Sequence, residues 1–210
     1  MSRRLTLDPL SPDPGLLRDV AAALAAGEIV AYPTDTLYGL AVDPRNADAV
    51  RRLCELKGRN ARAAIPIIAA DIDQVVRDVG LLTADDRRLA AGFWPGPLSL
   101  VIDALPSLAP GVAAADGTVA VRVPDHAVAR AMAQVADHAI TATSANVSGR
   151  PPAVTALEVE AALGVGVSIV VDAGAAPGGP PSTIVRVDRG RARLVRAGPI
   201  PWARVLELLR

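Results

Sequence analysis

The sequence predicts an α/β fold, a twisted mixed β-sheet with flanking helices. Three observations predict it. Helical and strand-like periodicities interleave along the chain, and several strand-like segments follow one another across short connections. Both favour a mixed sheet over a strictly alternating parallel one. Hydrophobic residues make up 51% and charged residues 21%, an ordinary globular balance. At 210 residues the chain is long enough for a substantial core, and residues 1–210 read as one domain.

Taken in order, Leu16, Leu17, Val20 and Leu24 recur at helical spacing within residues 13–26, and Gly27 stops that helix. Residues 28–32 form a buried strand halted by Pro33. Asn46 is the N-cap of the next helix, whose Val50, Leu53, Cys54 and Lys57 share one face. Gly58 suits its C-terminal cap, and Cys54 reads as core filler. Residues 64–70 are strand-like, with Pro66 favouring an edge or a bulge. Helices follow over 71–79, 83–91 and 125–136. Further strands cover 98–102, 118–123, 139–143, 167–171, 183–187 and 193–195. The Gly, Pro and Ala-rich stretch 173–181 reads as a mobile loop over a site, since a strand follows at once.

Charge and composition narrow the function classes. The 22 basic and 22 acidic residues cancel, so no global field draws the protein to nucleic acid or membrane. No apolar run approaches the roughly 18 residues a bilayer requires. Residues 1–9 lack the apolar stretch of a secretory signal. A lone cysteine, Cys54, excludes an internal disulfide and a multi-cysteine metal site. A cytoplasmic location is expected. Of the 22 basic residues, Lys57 alone is lysine and 21 are arginine, as coding bias would produce wherever arginine suffices.

The common catalytic signatures are missing. Lys57 follows Leu56, so there is no Gly-Lys-Ser/Thr phosphate loop. Gly164 and Gly166 are followed by Ile169, not by the third glycine of a dinucleotide fingerprint. No Gly-x-Ser-x-Gly elbow occurs, and His126 and His138 have no metal-ligand spacing. Both read as surface or packing residues. A metal here would be a hard cation held by oxygens of substrate and hydroxyls, which suggests Mg²⁺.

What remains is small polar and cationic groups at strand ends and turns. Tyr32-Pro33-Thr34-Asp35-Thr36-Leu37-Tyr38-Gly39-Leu40 puts three hydrogen-bonding side chains directly after a strand, where open sheets bind ligands. A capped turn would also use them. Lys57-Gly58-Arg59 sets two cations around a flexible residue, a grip for phosphates or a solvated helix end. In Thr118-Val119-Ala120-Val121-Arg122-Val123-Pro124, alternation sends Thr118, Ala120 and Arg122 to one face and the valines to the other. That face presents Arg122 either to an anion or to solvent. Residues 141–149 pass from apolar strand to hydroxyls and amides of little bulk, suited to close backbone approach to an anion. Ser182 and Arg196 each stand beside a strand.

In this order the segments closely resemble the YrdC family of threonylcarbamoyl-AMP synthases, over residues 5–199. The resemblance is carried by Pro33-Thr34-x-Thr36-x-Tyr38-Gly39-Leu40, Lys57-x-Arg59 and Ser144-x-Asn146. Residues 93–98 and 121–124, Ser182-Thr183 and Arg196-x-Gly198 also fall where the family has them. It implies a YrdC/RibB-like mixed sheet around one large concave site, and ATP, L-threonine and bicarbonate as substrates. The amine of threonine takes up bicarbonate, the carbamate attacks the α-phosphate of ATP, and threonylcarbamoyl-AMP and pyrophosphate leave. Mg²⁺ would come with ATP. A tRNA-modifying threonylcarbamoyl transferase complex would use the product, with weak or no direct nucleic-acid binding by this chain.

By resemblance, Lys57, Arg59, Thr118, Ser144, Asn146 and Arg196 surround the nucleotide, and Lys57, Arg59, Ser144 and Asn146 serve catalysis. Thr36, Arg122, the backbone around Ala142, and Ser182 hold threonine. No metal-ligating residue is implied. The chain departs from the family in Asp35 for a frequent Glu, Asn60 and Thr143 for frequent prolines, and no Asn or His across residues 63–70. Two other readings are a paralogue of the same fold with altered activity and a non-enzymatic RNA-binding module. Five aromatic residues and zero net charge disfavour the latter.

Overall fold

The computed structural model describes residues 2–58 and 64–210. Arg59 of the expected phosphate grip lies outside the described residues. Helices and strands interleave in the order β1 (Arg3–Thr6), α1 (Pro14–Ala25), β2 (Val30–Tyr32), β3 (Gly39–Ala41), α2 (Ala47–Lys57), β4 (Ile67–Ile68), α3 (Ile72–Asp78) and α4 (Ala84–Phe93). There follow β5 (Leu98–Asp103), β6 (Thr118–Arg122), α5 (Ala127–Val135), β7 (Ile140–Thr141), β8 (Thr143–Ser144), α6 (Ala156–Leu163), β9 (Ile169–Asp172), β10 (Thr183–Asp188), β11 (Arg191–Arg196) and α7 (Trp202–Leu208). The fold is mixed α/β, as the sequence predicts. Its strands divide between two mixed sheets, ordered β1-β9-β2-β3-β8 and β11-β10-β5-β6-β4-β7.

Helix starts follow side-chain chemistry. Asp13, Asn46, Asp71 and Thr83 each accept a hydrogen bond from the third residue onward, satisfying an otherwise orphaned N–H. Thr83 and Asp86 complete a reciprocal capping box. Gly58 ends α2 in the left-handed region at φ 57°, where a side chain would be strained.

Packing then assembles the layers. Leu17, Val20 and Leu24 of α1 and Val128 and Met132 of α5 bury against Val30, Tyr32 and Ile169 on one face of the five-stranded sheet. Its other face shares a second core with α2, α6 and the six-stranded sheet, where Leu53, Leu98, Leu100, Val121 and Val185 meet. Each such aliphatic side chain contributes about 1.5–3 kcal/mol on burial. The valine face of β6 lies in that core, and alternation sends Thr118, Ala120 and Arg122 the other way.

Two expectations are corrected. Residues 139–143 are not one strand. The chain changes sheets at Ala142, leaving β7 beside β4 and β8 beside β3. Ala142 instead donates its N–H to the Pro66 carbonyl at 2.8 Å. The strand near Pro66 is not an edge either, because β4 runs between β6 and β7. Pro66 precedes the paired residues, so its missing N–H costs the ladder nothing.

Candidate active site

A cavity of about 500 Å³ opens where the chain crosses between the two sheets. Its size is that of a small-molecule site. Of the expected residues, Thr36, Arg122, Ala142, Ser144, Ser182 and Arg196 line it together. They come from the β2–β3 loop, the end of β6, the crossover at Ala142, the end of β8, the residue before β10 and the end of β11.

Arg122 anchors one wall. Its Nη1 donates to Asp35 Oδ1 at 2.5 Å, and Nη2 to the Oγ1 atoms of Thr34 and Thr36 at 3.2 Å each. The side chains of Arg122 and Asp35 are only 8% and 10% exposed, so this is a buried ion pair. Thr34 fixes the loop: its hydroxyl donates to the Leu37 carbonyl at 2.8 Å and accepts from the Thr36 and Leu37 N–H groups. Three contacts do not exhaust the five donors of a guanidinium, so the same group can take a ligand anion.

Arg196 forms the facing wall. It donates to the Ser182 carbonyl through Nε at 3.1 Å and Nη2 at 2.8 Å, and to Ser182 Oγ at 3.0 Å. Ser182 Oγ lies 2.9 Å from Ser99 Oγ. Burial first, and then the positive charge of Arg122, hold the pKa of Arg196 below its usual value. Two guanidiniums line one cavity, and the one carboxylate, Asp35, pairs with Arg122 alone, so the cavity favours an anion.

Gly198 keeps Arg196 and Ser182 in place. A Cβ there would meet Thr183 N at 2.3 Å and Pro181 O at 2.4 Å, so only glycine permits this approach. Gly198→Ala is therefore expected to cost about 1–3 kcal/mol by overpacking. Urea unfolding reads the loss, and an unchanged midpoint would contradict the close approach.

Behind Ser144 stands a second polar cluster. Lys57, the last residue of α2, is 3% exposed and donates through Nζ to the Ser144 carbonyl, to Asn146 O at 2.7 Å and to Asn146 Oδ1 at 3.3 Å. Ser144 Oγ donates to Asn146 Oδ1 at 2.6 Å, and Asn146 Nδ2 to the Arg150 carbonyl at 2.5 Å. Lys57 is thus not a solvated helix end. It ties α2 to the Ser144–Asn146 turn.

Thr118 stands apart, at the opposite end of β6 from Arg122, where its hydroxyl donates to Asp116 Oδ1 at 2.7 Å. That bond and Arg186, at 2.7 Å, hold the Asp116 carboxyl down to about 2. His126 caps α5, accepting from Ala129 N at 3.4 Å, and burial lowers its pKa. His138 bonds the Ala139 carbonyl at 2.8 Å. Burial pushes the Tyr32 and Tyr38 phenols well up, so both act as neutral donors, to the Thr141 and Gly174 carbonyls. Thr34 and Asp35, expected in the ligand-facing turn after β2 but given no role there, belong to the site, and so does Ser99, which was not among the expected residues. Ser99 is legible as the lone hydroxyl in Leu98-Ser99-Leu100.

Three comparisons bear on this arrangement. The Sua5/YciO/YrdC family model, described as "Telomere recombination", matches residues 22–198. The threonylcarbamoyl-AMP synthase of Halorhodospira halophila (strain DSM 244 / SL1) is 39% identical over 163 residues, 78% of this chain and 85% of that one. The threonylcarbamoyl-AMP synthase of Bacillus subtilis (strain 168) is 36% identical over 194 residues, 92% of this chain and 56% of that one. The crystal structure of P. abyssi Sua5 complexed with L-threonine superposes with a TM-score of 0.92 and 28% identity, covering 99% of this chain and 61% of that chain. The chain thus spans little more than half the length of the last two. With most of its length matched by the family model, the chain belongs to the Sua5/YciO/YrdC family.

Proposed function

We propose that this protein is an L-threonylcarbamoyladenylate synthase, a nucleotidyltransferase acting on ATP, L-threonine and bicarbonate. The observation that carries the reading is the cavity itself, where Arg122, set among the Thr34 and Thr36 hydroxyls, faces Ser182 and Arg196. The relatives' names and the threonine complex of P. abyssi Sua5 support it.

The amine nitrogen of threonine bonds to the carbon of bicarbonate, and water leaves. A carbamate oxygen then attacks the α-phosphorus of ATP, and the bond to the β-phosphate oxygen breaks. Threonylcarbamoyl-AMP and pyrophosphate are released. Both reactants are anionic, so the protein's task is alignment and charge neutralisation. Arg122, Thr36, Ser182 and the backbone at Ala142 hold threonine. Lys57, Arg59, Ser144, Asn146, Thr118 and Arg196 serve the nucleotide. Mg²⁺ enters as part of the ATP substrate, and the hydroxyl-rich wall suits such a hard, oxygen-bound cation. The acyl group passes to a tRNA-modifying threonylcarbamoyl transferase complex in the cytoplasm. Among the described residues no helix is long and apolar enough to cross a membrane.

Pyrophosphate release, followed while ATP, threonine or bicarbonate is omitted in turn, tests the reaction. Release that needs all three is expected. Release without threonine would turn the reading into a simple ATP-cleaving activity.

A further inference from the structure

Ser99 interrupts an apolar strand. Its neighbours Leu98 and Leu100 bury their side chains in the core, and alternation turns Ser99 to the opposite face, where it lines the cavity. The register of β5 with β10 sets Ser99 opposite Ile184, and Ser182, two residues before Ile184, emerges on the same face. Ser99 is 3% exposed, so its hydroxyl needs a partner inside the protein. Among the described residues that partner is Ser182 Oγ, at 2.9 Å. Alanine would fill the position without any such demand, so packing alone gives no reason for a hydroxyl here.

The count of hydrogens decides what the pair does. A serine hydroxyl donates one hydrogen and accepts two. Ser182 Oγ already accepts one from Arg196 Nη2 at 3.0 Å. If Ser182 gives its own hydrogen to Ser99, it meets an incoming oxygen with nothing to donate. If Ser99 gives instead, both acceptor positions of Ser182 are filled, and its hydrogen is left to point into the cavity. Two donors on one oxygen, one of them cationic, also polarise that hydrogen. A ligand oxygen that can only accept, such as that of an ionised carboxylate, is bound by the second arrangement alone.

We propose that Ser99 is a positioning residue for amino-acid binding: its hydroxyl donates to Ser182 Oγ and thereby turns the Ser182 hydrogen towards an acceptor oxygen of threonine. The inference rests on the synthase reading, in which Ser182 holds threonine. Ser99 acts through Ser182, and the pair is held from the other side by Arg196.

Ser99→Ala is expected to weaken threonine binding about fivefold in titration calorimetry, as the loss of one hydrogen bond does, while ATP affinity stays within about twofold. Ser99→Thr keeps the hydroxyl and should bind threonine within about twofold of the wild type, whereas Ser99→Val, of the same shape without it, should lose as much as Ser99→Ala. In a Ser182→Ala background, Ser99→Ala should add no further loss, because the hydroxyl it orients is gone. Equal threonine affinity in Ser99→Val and Ser99→Thr overturns the role. So do additive losses in the double variant, and so does a matching loss of ATP affinity, which would mean a disturbed wall. Should the added methyl unfold the Thr and Val variants, the alanine variants decide alone. A wild type that binds no threonine fells the synthase reading and this role with it. A wild type that binds threonine no better than Ser99→Ala fells the role alone.

Discussion

Arg122→Ala is expected to weaken threonine binding at least tenfold, to leave ATP affinity within a few fold, and to destabilise the fold by about 3–5 kcal/mol. The stability loss arises because the Asp35 carboxylate is 10% exposed and Arg122 supplies its ion-pair partner. Asp35 Oδ2 already has no partner among the described residues. Removing the guanidinium strands the whole buried charge. The binding loss arises because charge-assisted hydrogen bonds contribute about 1.5–3 kcal/mol, or tenfold and more in affinity. A double variant separates the two effects. Arg122→Met with Asp35→Leu replaces the ion pair by apolar groups of similar bulk, so most of the stability should return. Threonine binding should not. Urea unfolding and calorimetry on the single and double variants give the answer. Wild-type threonine affinity in the double variant would mean that Arg122 is not the carboxylate partner.

Much of this site is written in local chemistry and some of it is not. Helix starts were legible because Asp13, Asn46, Asp71 and Thr83 act on N–H groups three residues away. The alternation of β6 was legible for the same reason, and it correctly put Arg122 and Thr118 on one face. Other elements depend on partners distant in sequence. β3 is three residues, Gly39–Ala41, and exists because β2 and β8 flank it. β1 is parallel to β9, more than 160 residues away. Neither has a local signature, and α6 and α7 were likewise not anticipated. The sheet change at Ala142 was illegible because Thr141 and Thr143 look alike in sequence yet pair in different sheets. Within the site, Arg122 was recognisable as a cation on a strand, whereas its pairing with Asp35 spans 87 residues. The Lys57 contacts with Ser144 and Asn146 span as far.

Lys57→Arg, nominally conservative, is expected to reduce turnover on the order of a hundredfold, the usual cost of displacing a reacting group by about 1 Å. The sequence already hints at this, because 21 of 22 basic positions hold arginine and this one holds lysine. The structure supplies the reason. Nζ sits among the Ser144 carbonyl, Asn146 O and Asn146 Oδ1, and the residue is 3% exposed. A compact ammonium can point separate N–H bonds at oxygens on several sides, whereas a guanidinium is broad and holds its donors in one plane. Arginine would push the Ser144–Asn146 turn away from α2, and Ser144 is part of the cavity wall. A second variant checks this account. Lys57→Met keeps the buried stem and removes the ammonium, leaving two carbonyls short of a donor at about 1–3 kcal/mol each. It should lose turnover as well, with a lower unfolding midpoint. If a cation at the helix end were all that mattered, arginine would serve as well as lysine. Pyrophosphate release at saturating substrates decides between the two. Near-wild-type turnover in Lys57→Arg would remove Lys57 from the catalytic machinery, whereas a large loss in a variant that unfolds like the wild type would tie the rate to where this one ammonium sits.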